Sequence, residues 1–208
     1  DDDGWMTAAE HGVRYPSGTR RRVRVTHSRT SVVVVALTAE GQVLTVRQWK
    51  HGIGRITQEF PAGYLEHERE DPLAAGQREL SEETGYESAT WLYLGEYFRE
   101  PGRGRSSLHV AVALDARPVG GQRLDATEEI DVARVTLDEV ETMMRDGRMP
   151  GLHCLGAWAI ARPHVLQYGG AVSPKTAERV WGGVTSGSTL RYVMPLADGS
   201  VFCMGASL

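Results

Sequence analysis

Short β-branched runs alternate with turn residues over the first fifty positions. Residues 31–37 (SVVVVAL) and 43–48 (VLTVRQ) are predicted to be buried strands joined by a tight connection at Glu40-Gly41. Upstream, residues 11–15 and 20–26 flank Pro16-Ser17-Gly18-Thr19, whose proline and glycine supply turn dihedrals. The pattern therefore predicts an N-terminal hairpin followed by the centre of a sheet.

One helix is delimited by signals at both of its ends. Asp71 can cap it, Pro72 suits the first helical position, and Gly85 supplies a left-handed exit. Downstream, the periodicity predicts strands at residues 91–98 and 108–114, helices at 137–146 and 156–166, and a last hairpin at 190–195 and 201–204. We divide the chain into an N-terminal hairpin segment (1–30), a core (31–168) and a glycine-rich extension (169–208).

The delimited helix carries three glutamates on one side. Leu73, Gln77, Leu80 and Thr84 fall together on the other side at the helical period of ~100° per residue. Like charges three and four positions apart oppose each other, so Glu79, Glu82 and Glu83 favour a cation among them. A set of carboxylates without nearby His or Cys favours Mg²⁺, or else Mn²⁺. A solvated acidic face is the simpler interpretation of these three residues taken alone.

The residues around the helix decide between these interpretations, because together they resemble the Nudix box. The matching positions are Gly63, Glu70, Arg78-Glu79-Leu80, Glu82-Glu83, Gly85 and Tyr86. The sequence departs from the family pattern once, since six residues lie between Gly63 and Glu70 where the family has five. This leaves open whether Glu70 or Glu68 takes the family role.

The resemblance implies a fold and a set of roles. The expected fold is an α/β/α sandwich with a mixed β-sheet. Glu79 and Glu83 would be the main metal ligands, Glu82 a further ligand, and the Ala62 carbonyl a companion. Arg78 would pair with Glu70 or with a ligand carboxylate and hold the loop on the helix, while Gly63 and Gly85 would shape the backbone at each end.

Three further segments are similar to the ADP-ribose pyrophosphatase branch of that family. They are the stretch from Arg47 through Lys50 to Glu59-Phe60-Pro61, the downstream Pro101-Gly102, and the acidic loop Glu128-Glu129. By this resemblance, Arg47, Lys50, Glu59, Pro101 and Gly102 would contact the substrate. Glu128, or else Glu129, would accept a proton from the attacking water, with Glu82 and Glu83 as the other catalytic carboxylates.

The N-terminal hairpin matches this branch less well. Arg20, Arg22 and Arg24 alternate onto one strand face without interleaved aromatic residues, which favours a solvated or subunit-facing strand over a nucleic-acid surface. ADP-ribose enzymes often stack the adenine on aromatic residues of this hairpin, where the present sequence has Val23, with Trp5 or Tyr15 nearby. The resemblance implies a homodimer formed through the hairpin.

Composition limits the remaining alternatives. A net charge of -4 argues against general nucleic-acid binding, and no apolar run is long enough to cross a bilayer. The chain begins with three aspartates, unlike a signal peptide, and Cys154 and Cys203 form neither a metal motif nor a disulfide framework. We therefore expect a soluble cytoplasmic protein without nucleic-acid or membrane partners.

The sequence thus predicts Mg²⁺-dependent hydrolysis of a nucleoside diphosphate sugar, with ADP-ribose giving AMP and ribose 5-phosphate. Two alternatives stay open at this stage. One is a Nudix hydrolase for another nucleotide sugar, a dinucleotide or a pathway-specific nucleotide. The other is a Nudix-like module that senses nucleotides without cutting them, although such modules usually lose the helix glutamates that this chain keeps.

Overall fold

The computed structural model describes residues 6–67, 69–168, 189–195 and 201–207. The chain divides into two compact units, residues 1–161 and 162–208. The second unit holds two antiparallel strands, β11 (Thr189–Pro195) and β12 (Val201–Ser207), where the last hairpin was predicted. The predicted glycine-rich connection between residues 169 and 188 lies outside the described residues.

The N-terminal hairpin forms a two-stranded sheet of its own. Strands β1 (Met6–Arg14) and β2 (Arg20–Ser28) pair antiparallel along their whole length. Both strands are mostly exposed, and the more buried positions lie at the end of β2, where Thr26 bridges to Gly104. The hairpin is therefore attached at one end and leaves most of its surface accessible.

The central sheet has eight strands built around β3 (Ser31–Thr38), whose residues are all buried. This strand runs parallel to β9 (Ser107–Pro118) and antiparallel to β4 (Val43–Lys50). Both directions of pairing are present, so the predicted mixed sheet is confirmed. A strand that is buried on both faces needs apolar residues at every position, which explains the unbroken valine run.

Five shorter or flanking strands complete the sheet. They are β5 (Arg55–Glu59), β6 (Ala62–Tyr64), β7 (Tyr86–Glu87), β8 (Thr90–Phe98) and β10 (Ile130–Val135). Strand β6 pairs with β3, and β5 and β10 pair with opposite edges of β4. This pairing brings the short β6 to the middle of the sheet.

Helix α1 (Pro72–Thr84) begins and ends where the sequence predicts. The Asp71 side chain accepts a hydrogen bond from the Leu73 amide at 3.1 Å, and Gly85 has a left-handed φ of 71°. The prediction of its faces needs a correction, because Gln77 is exposed and Glu83 is buried. The buried side is rotated toward Glu83 because Gly76 lets the helix approach Val32 and Val34 of β3.

Two more helices follow in the described residues. Helix α2 (Leu137–Arg145) starts with a capping box between Thr136 and Glu139. Helix α3 (Leu152–Tyr168) starts four residues before the predicted Gly156 and contains Pro163. Its first turn begins at Gly151, whose carbonyl accepts hydrogen bonds from two amides of that turn.

Helices cover both faces of the sheet. On one face, Val32 and Val34 of β3 pack with Ala75 and Leu80 of α1 in a buried cluster. On the other face, Val33 lines a cleft together with the first turns of α3. No helix in the described ranges is long and apolar enough to span a membrane.

Candidate active site

The backbone of β6 lies directly against the acidic side of α1. The Ala62 amide donates a hydrogen bond to Glu83 Oε2 at 3.0 Å. A Cβ on Gly63 would come within 2.0 Å of the Glu79 carboxyl carbon, so only glycine leaves room for that carboxylate. The pairing of β6 with β3 therefore brings the loop and two helix glutamates of the predicted site together.

Burial and neighbouring negative charges disfavour the ionised form of the carboxylates at this site. Glu83 is 3% exposed, and its pKa is raised to about 8 mainly because it is buried; the Ala62 amide opposes this, and Glu79 and Glu128 add to it. Burial also raises the pKa of Glu79 despite the adjacent Arg78, and Glu82 and Glu128 contribute in the same direction. The site would be stabilised by a cation placed among these carboxylates.

Arg78 supplies part of the missing positive charge. Its guanidinium donates to Glu79 Oε1 at 2.8 Å, to Glu82 Oε2 at 3.3 Å and to the Tyr64 carbonyl at 3.1 Å. Its Nε lies 3.6 Å from Glu70 Oε1. Burial would lower the pKa of Arg78, but these carboxylates, Glu79 foremost, outweigh it and raise the pKa. Arg78 thereby ties the loop before the helix to the acidic side of the helix.

These contacts also determine how the carboxylates are arranged. Within the described part of the chain, no three His, Cys, Asp or Glu side chains are placed to hold a metal ion together. Glu79 and Glu82 instead point at Arg78, and Glu83 points at the Ala62 amide. The three predicted ligands are neighbours, but each is held by the protein. Glu68, the alternative to Glu70, lies outside the described residues.

The acidic loop is fastened to the end of α1. The Gln122 side-chain amide donates to the Glu83 carbonyl at 2.7 Å and to the Ile130 carbonyl at 3.0 Å, and the Arg123 amide donates to the Glu82 carbonyl at 2.9 Å. Helix-end carbonyls lack partners within the helix, so the loop satisfies them. Glu128 is exposed, and its charge reaches Glu79 and Glu83. Glu129 is exposed next to it.

A cleft of about 1070 Å³ opens beside these carboxylates, and Ala62 and Gly63 form part of its wall. Val33 and Val110 of the sheet form its floor. Further lining residues come from the end of β4 and the turn after it (Lys50, His51, Gly52, Ile53), from other strands and their ends (among them Arg55, Glu59, Tyr64, Tyr97, Phe98, Arg99) and from the start of α3 (among them Leu152, His153, Gly156). The cleft can hold a ligand that extends away from the acidic cluster.

One carboxylate in the cleft, that of Glu59, lies next to Lys50 and His153. Glu59 is 5% exposed, and its Oε2 lies 2.8 Å from Lys50 Nζ and 3.8 Å from His153 Nε2, while the Thr57 hydroxyl donates to Oε1 at 3.0 Å. Burial would raise the pKa of Glu59, but His153 and Lys50 outweigh it and lower the pKa to about 2. Sequence reasoning missed His153, because its partners lie far upstream and no local motif marks it.

Three predicted substrate residues are not brought to the cleft. Side chains alternate along β4, so Arg47 lies on the face opposite to Lys50, and its guanidinium is 4.0 Å from Asp131 on the neighbouring strand β10. Pro101 and Gly102 form an exposed turn next to β2 and do not line the cleft. Lys50 and Glu59, from the same prediction, do line it.

A mixed sheet between helices, with buried carboxylates beside a cleft, defines an α/β domain with a candidate ligand site. The chain belongs to the Nudix family, because the model of the NUDIX domain matches residues 27–153. It is therefore a Nudix hydrolase, and its relatives place it with the ADP-ribose pyrophosphatase-like members.

Two relatives and one solved structure illustrate this placement. The ADP-ribose pyrophosphatase of Bacillus subtilis (strain 168) is 32% identical over 128 residues, which cover 61% of this chain and 69% of that protein. The methanol dehydrogenase activator of Bacillus methanolicus is 31% identical over 138 residues, covering 66% and 74% respectively. The crystal structure of an ADP compounds hydrolase shares the fold with a TM-score of 0.70 at 21% identity, covering 80% of this chain and 89% of that one.

Proposed function

We propose that this protein hydrolyses the pyrophosphate bond of ADP-ribose and releases AMP and ribose 5-phosphate. The observation that carries the proposal is the gathering of Glu79, Glu83 and the Glu128 charge around Ala62-Gly63, at one end of a cleft that also presents Lys50. The ADP-ribose pyrophosphatases among its relatives support the choice of substrate.

The donor set suits Mg²⁺, or Mn²⁺ in its place. The carboxylates of Glu79, Glu82 and Glu83 and the Ala62 carbonyl would hold it, and hard oxygen donors of this kind are those that Mg²⁺ prefers. A buried Glu83 whose pKa is raised to about 8 by burial and by its acidic neighbours is also a group that a cation would keep ionised. When bound, Mg²⁺ neutralises diphosphate charge and lowers the pKa of coordinated water.

The other roles belong to side chains of this chain. Glu128 accepts the proton of the attacking water, because its loop is tied to α1 and its charge reaches Glu79 and Glu83. Lys50 binds an oxygen of the diphosphate while Glu59 holds its ammonium group at 2.8 Å. Arg78 orients Glu79 and Glu82 through its guanidinium.

Product analysis tests the activity directly. The protein would be incubated with ADP-ribose, other nucleotide sugars and dinucleotides, with and without Mg²⁺, and the products identified by mass. We expect AMP and ribose 5-phosphate from ADP-ribose in the presence of Mg²⁺ only. A faster reaction with another nucleotide would contradict the choice of substrate. Binding of ADP-ribose without any Mg²⁺-dependent product would indicate a sensing module.

Two matched variants test the proton acceptor. Glu128→Gln removes the base and should lower kcat by about 10² to 10⁴. Glu129→Gln alters the neighbouring exposed carboxylate and should change kcat far less. Initial rates of AMP release measure both effects. If both variants keep the full rate, Glu128 and Glu129 are not the base; if only Glu129→Gln is slow, the roles are exchanged.

The proposal extends to assembly and location. The exposed N-terminal hairpin would join two copies into a homodimer, and the enzyme would act in the cytoplasm on a small-molecule nucleotide without nucleic-acid or membrane partners.

A further inference from the structure

Three exposed apolar side chains form a wall of the cleft, beside its polar lining residues. Ile53 is 57% exposed, Phe98 56% and Leu152 83%, and all three line this one cleft. They come from three separate segments, namely the β4–β5 turn, the end of β8 and the first turn of α3. Large apolar side chains that gather around a concave surface mark a place where a ligand is bound.

The apolar wall is continuous with the proposed diphosphate end of the cleft. Lys50 lies three positions before Ile53 in the β4–β5 hairpin, and His153 directly follows Leu152. On each side of the cleft, a polar side chain is therefore close in sequence to an apolar side chain of the wall. Lys50, which would hold a phosphate oxygen, is close to Ile53, and His153 is next to Leu152. A ligand anchored at Lys50 would extend onto Ile53 and Leu152.

The parts of a nucleoside diphosphate sugar differ in which surface they can cover. Diphosphate and sugar hydroxyls lose hydrogen bonds to water against an apolar wall, which costs free energy unless polar partners replace them. A nucleobase has two apolar faces, and these can pack on aliphatic and aromatic side chains. The base is thus the part of the substrate that the wall suits.

The N-terminal hairpin, which the resemblance assigns to the base, presents few aromatic side chains within its described residues 6–28. The β1–β2 hairpin presents Val23 in a register opposite His11, and Tyr15 is its aromatic residue within the described strands and turn. The residues next to Val23 along β2 are exposed arginines. These described strands therefore offer charge rather than an aromatic stack. The apolar side chains of the cleft therefore suit the base better than the described strands of the hairpin do.

The geometry points to a base-binding subsite formed by Ile53, Phe98 and Leu152 in the cleft. The assignment deepens the proposed hydrolysis and rests on it, because it takes the nucleotide part of the substrate to be anchored at the same diphosphate site. The subsite selects for an aromatic base by apolar packing and leaves the sugar near the acidic cluster.

The hairpin of β4 and β5 provides a matched pair of variants. Ile53 lines the cleft, whereas Ile56, 51% exposed, is paired with Trp49 outside it. Ile53→Ser and Leu152→Ser should each weaken the binding of AMP about tenfold, as expected when an apolar contact is removed from a pocket. Ile56→Ser should leave AMP affinity unchanged. Isothermal titration with AMP and, separately, with inorganic pyrophosphate measures both.

Each outcome decides the assignment. It is supported if Ile53→Ser and Leu152→Ser weaken AMP binding while pyrophosphate binding stays at the wild-type value. It is overturned if AMP affinity is unchanged, if Ile56→Ser has the same effect, if pyrophosphate binding falls equally, or if the wild type binds no AMP. Sedimentation of the same variants tests whether a second copy of the chain covers the wall instead. Loss of a dimer with unchanged AMP binding would overturn the base subsite and make the wall a contact between copies.

Failure of the hydrolysis proposal gives a different result. A wild-type protein that binds AMP in the manner described but releases no product from ADP-ribose contradicts the proposed reaction and leaves the subsite in place. A wild-type protein that hydrolyses ADP-ribose, with an Ile53→Ser variant of unchanged KM and AMP affinity, contradicts the subsite alone.

Discussion

At the scale of single residues, Gly63 is where the backbone of β6 contacts the Glu79 carboxylate of α1. Gly63 packs against the Glu79 carboxylate so closely that a Cβ at position 63 would lie 2.0 Å from the Glu79 carboxyl carbon. The obstacle is the end of a flexible side chain, so Gly63→Ala would displace the carboxylate while the fold persists. Misplacement of a catalytic group by about 1 Å can cost about 100-fold in rate.

We therefore predict that Gly63→Ala lowers kcat about 100-fold and changes the urea midpoint little. Gly12→Ala is the control, because Gly12 lies in β1 with nothing within 4 Å of its added Cβ. AMP release and urea unfolding followed by tryptophan fluorescence provide the two measurements. Equal activity of the two variants would show that the Glu79 position does not matter for the reaction.

Glu59 predicts how stability depends on pH. Its pKa in the folded protein, about 2, lies below the ordinary value of 4.5, because His153 and Lys50 outweigh its burial. A lowered pKa stabilises the folded state fully above pH 4.5, and this contribution is lost as the pH falls toward 2. The contribution is on the order of 3 kcal/mol.

Glu59→Gln should accordingly reduce the free energy of unfolding at pH 6 and make it less dependent on pH between 4.5 and 2 than in the wild type. Urea titrations at several pH values measure the difference, and Glu40→Gln, in an exposed turn, serves as the control. Parallel curves for wild type and Glu59→Gln would refute the assigned ion pairs.

The proximity of site residues could be predicted where the sequence itself places the residues together. Glu79 and Glu83 are four positions apart on one helix, and Ala62 and Gly63 precede it at a fixed spacing. His153 could not be predicted, because its contact with Glu59 depends on how α3 packs against the sheet. The position of Gln77 was wrong for a similar reason, since the close approach at Gly76 sets which side of α1 is buried.

At the scale of elements, the limits of α1 could be predicted because each has a local chemical cause. Asp71 accepts from a first-turn amide, and Gly85 adopts a φ that other residues avoid. Strands β6 and β7 could not, since three and two residues are too few to show a period. These strands form because they pair with β3 and β9, respectively, which are distant in sequence.

The tie between α1 and the acidic loop leads to a prediction about Gln122. One side-chain amide joins the Glu83 carbonyl to the Ile130 carbonyl, and so fixes the two ends of the segment that carries Glu128. Gln122→Leu keeps the approximate size but cannot donate. We expect kcat to fall about tenfold with KM nearly unchanged, because Glu128, the proposed base, is less well placed while the cleft stays intact.

Gln77→Leu is the control for this prediction, because Gln77 is exposed on the same helix. Steady-state kinetics give kcat and KM, and hydrogen exchange of residues 123–129 should become faster only in Gln122→Leu. A rise in KM at constant kcat, or unchanged exchange in that loop, would contradict a positioning role.

At the scale of the whole molecule, the sequence indicates the class of fold but not the sheet order. The parallel pairing of β3 with β9 joins residues 31–38 to residues 108–116, and no local pattern contains that information. The cleft depends on this order, because β3 and β9 provide its floor. The family resemblance predicts the sandwich, whereas the packing of this chain decides which side chains line the cleft.

The N-terminal hairpin leads to the last prediction, which concerns assembly. A two-stranded sheet alone is marginally stable in water, so a hairpin that leaves most of its surface exposed gains stability from a partner. Its strands have two faces, one with Arg22, Arg24 and Glu10 in exposed ion pairs and one with Val13 and Val23 half-buried. We expect the valine face to pack against a second copy. Sedimentation equilibrium should then give twice the mass of 22.8 kDa for the wild type.

A charge on the apolar face should separate the copies, whereas a change on the arginine face should not. Val23→Asp would place a carboxylate in the contact, where it loses hydration without gaining a partner, and should give a monomer. Arg22→Gln removes an exposed ion pair that contributes little and should stay dimeric. Monomeric wild-type protein, or a dimer that Val23→Asp leaves intact, would mean that the hairpin does not join two copies. If Val23→Asp is monomeric as expected, its activity will show whether the second copy also contributes to the cleft.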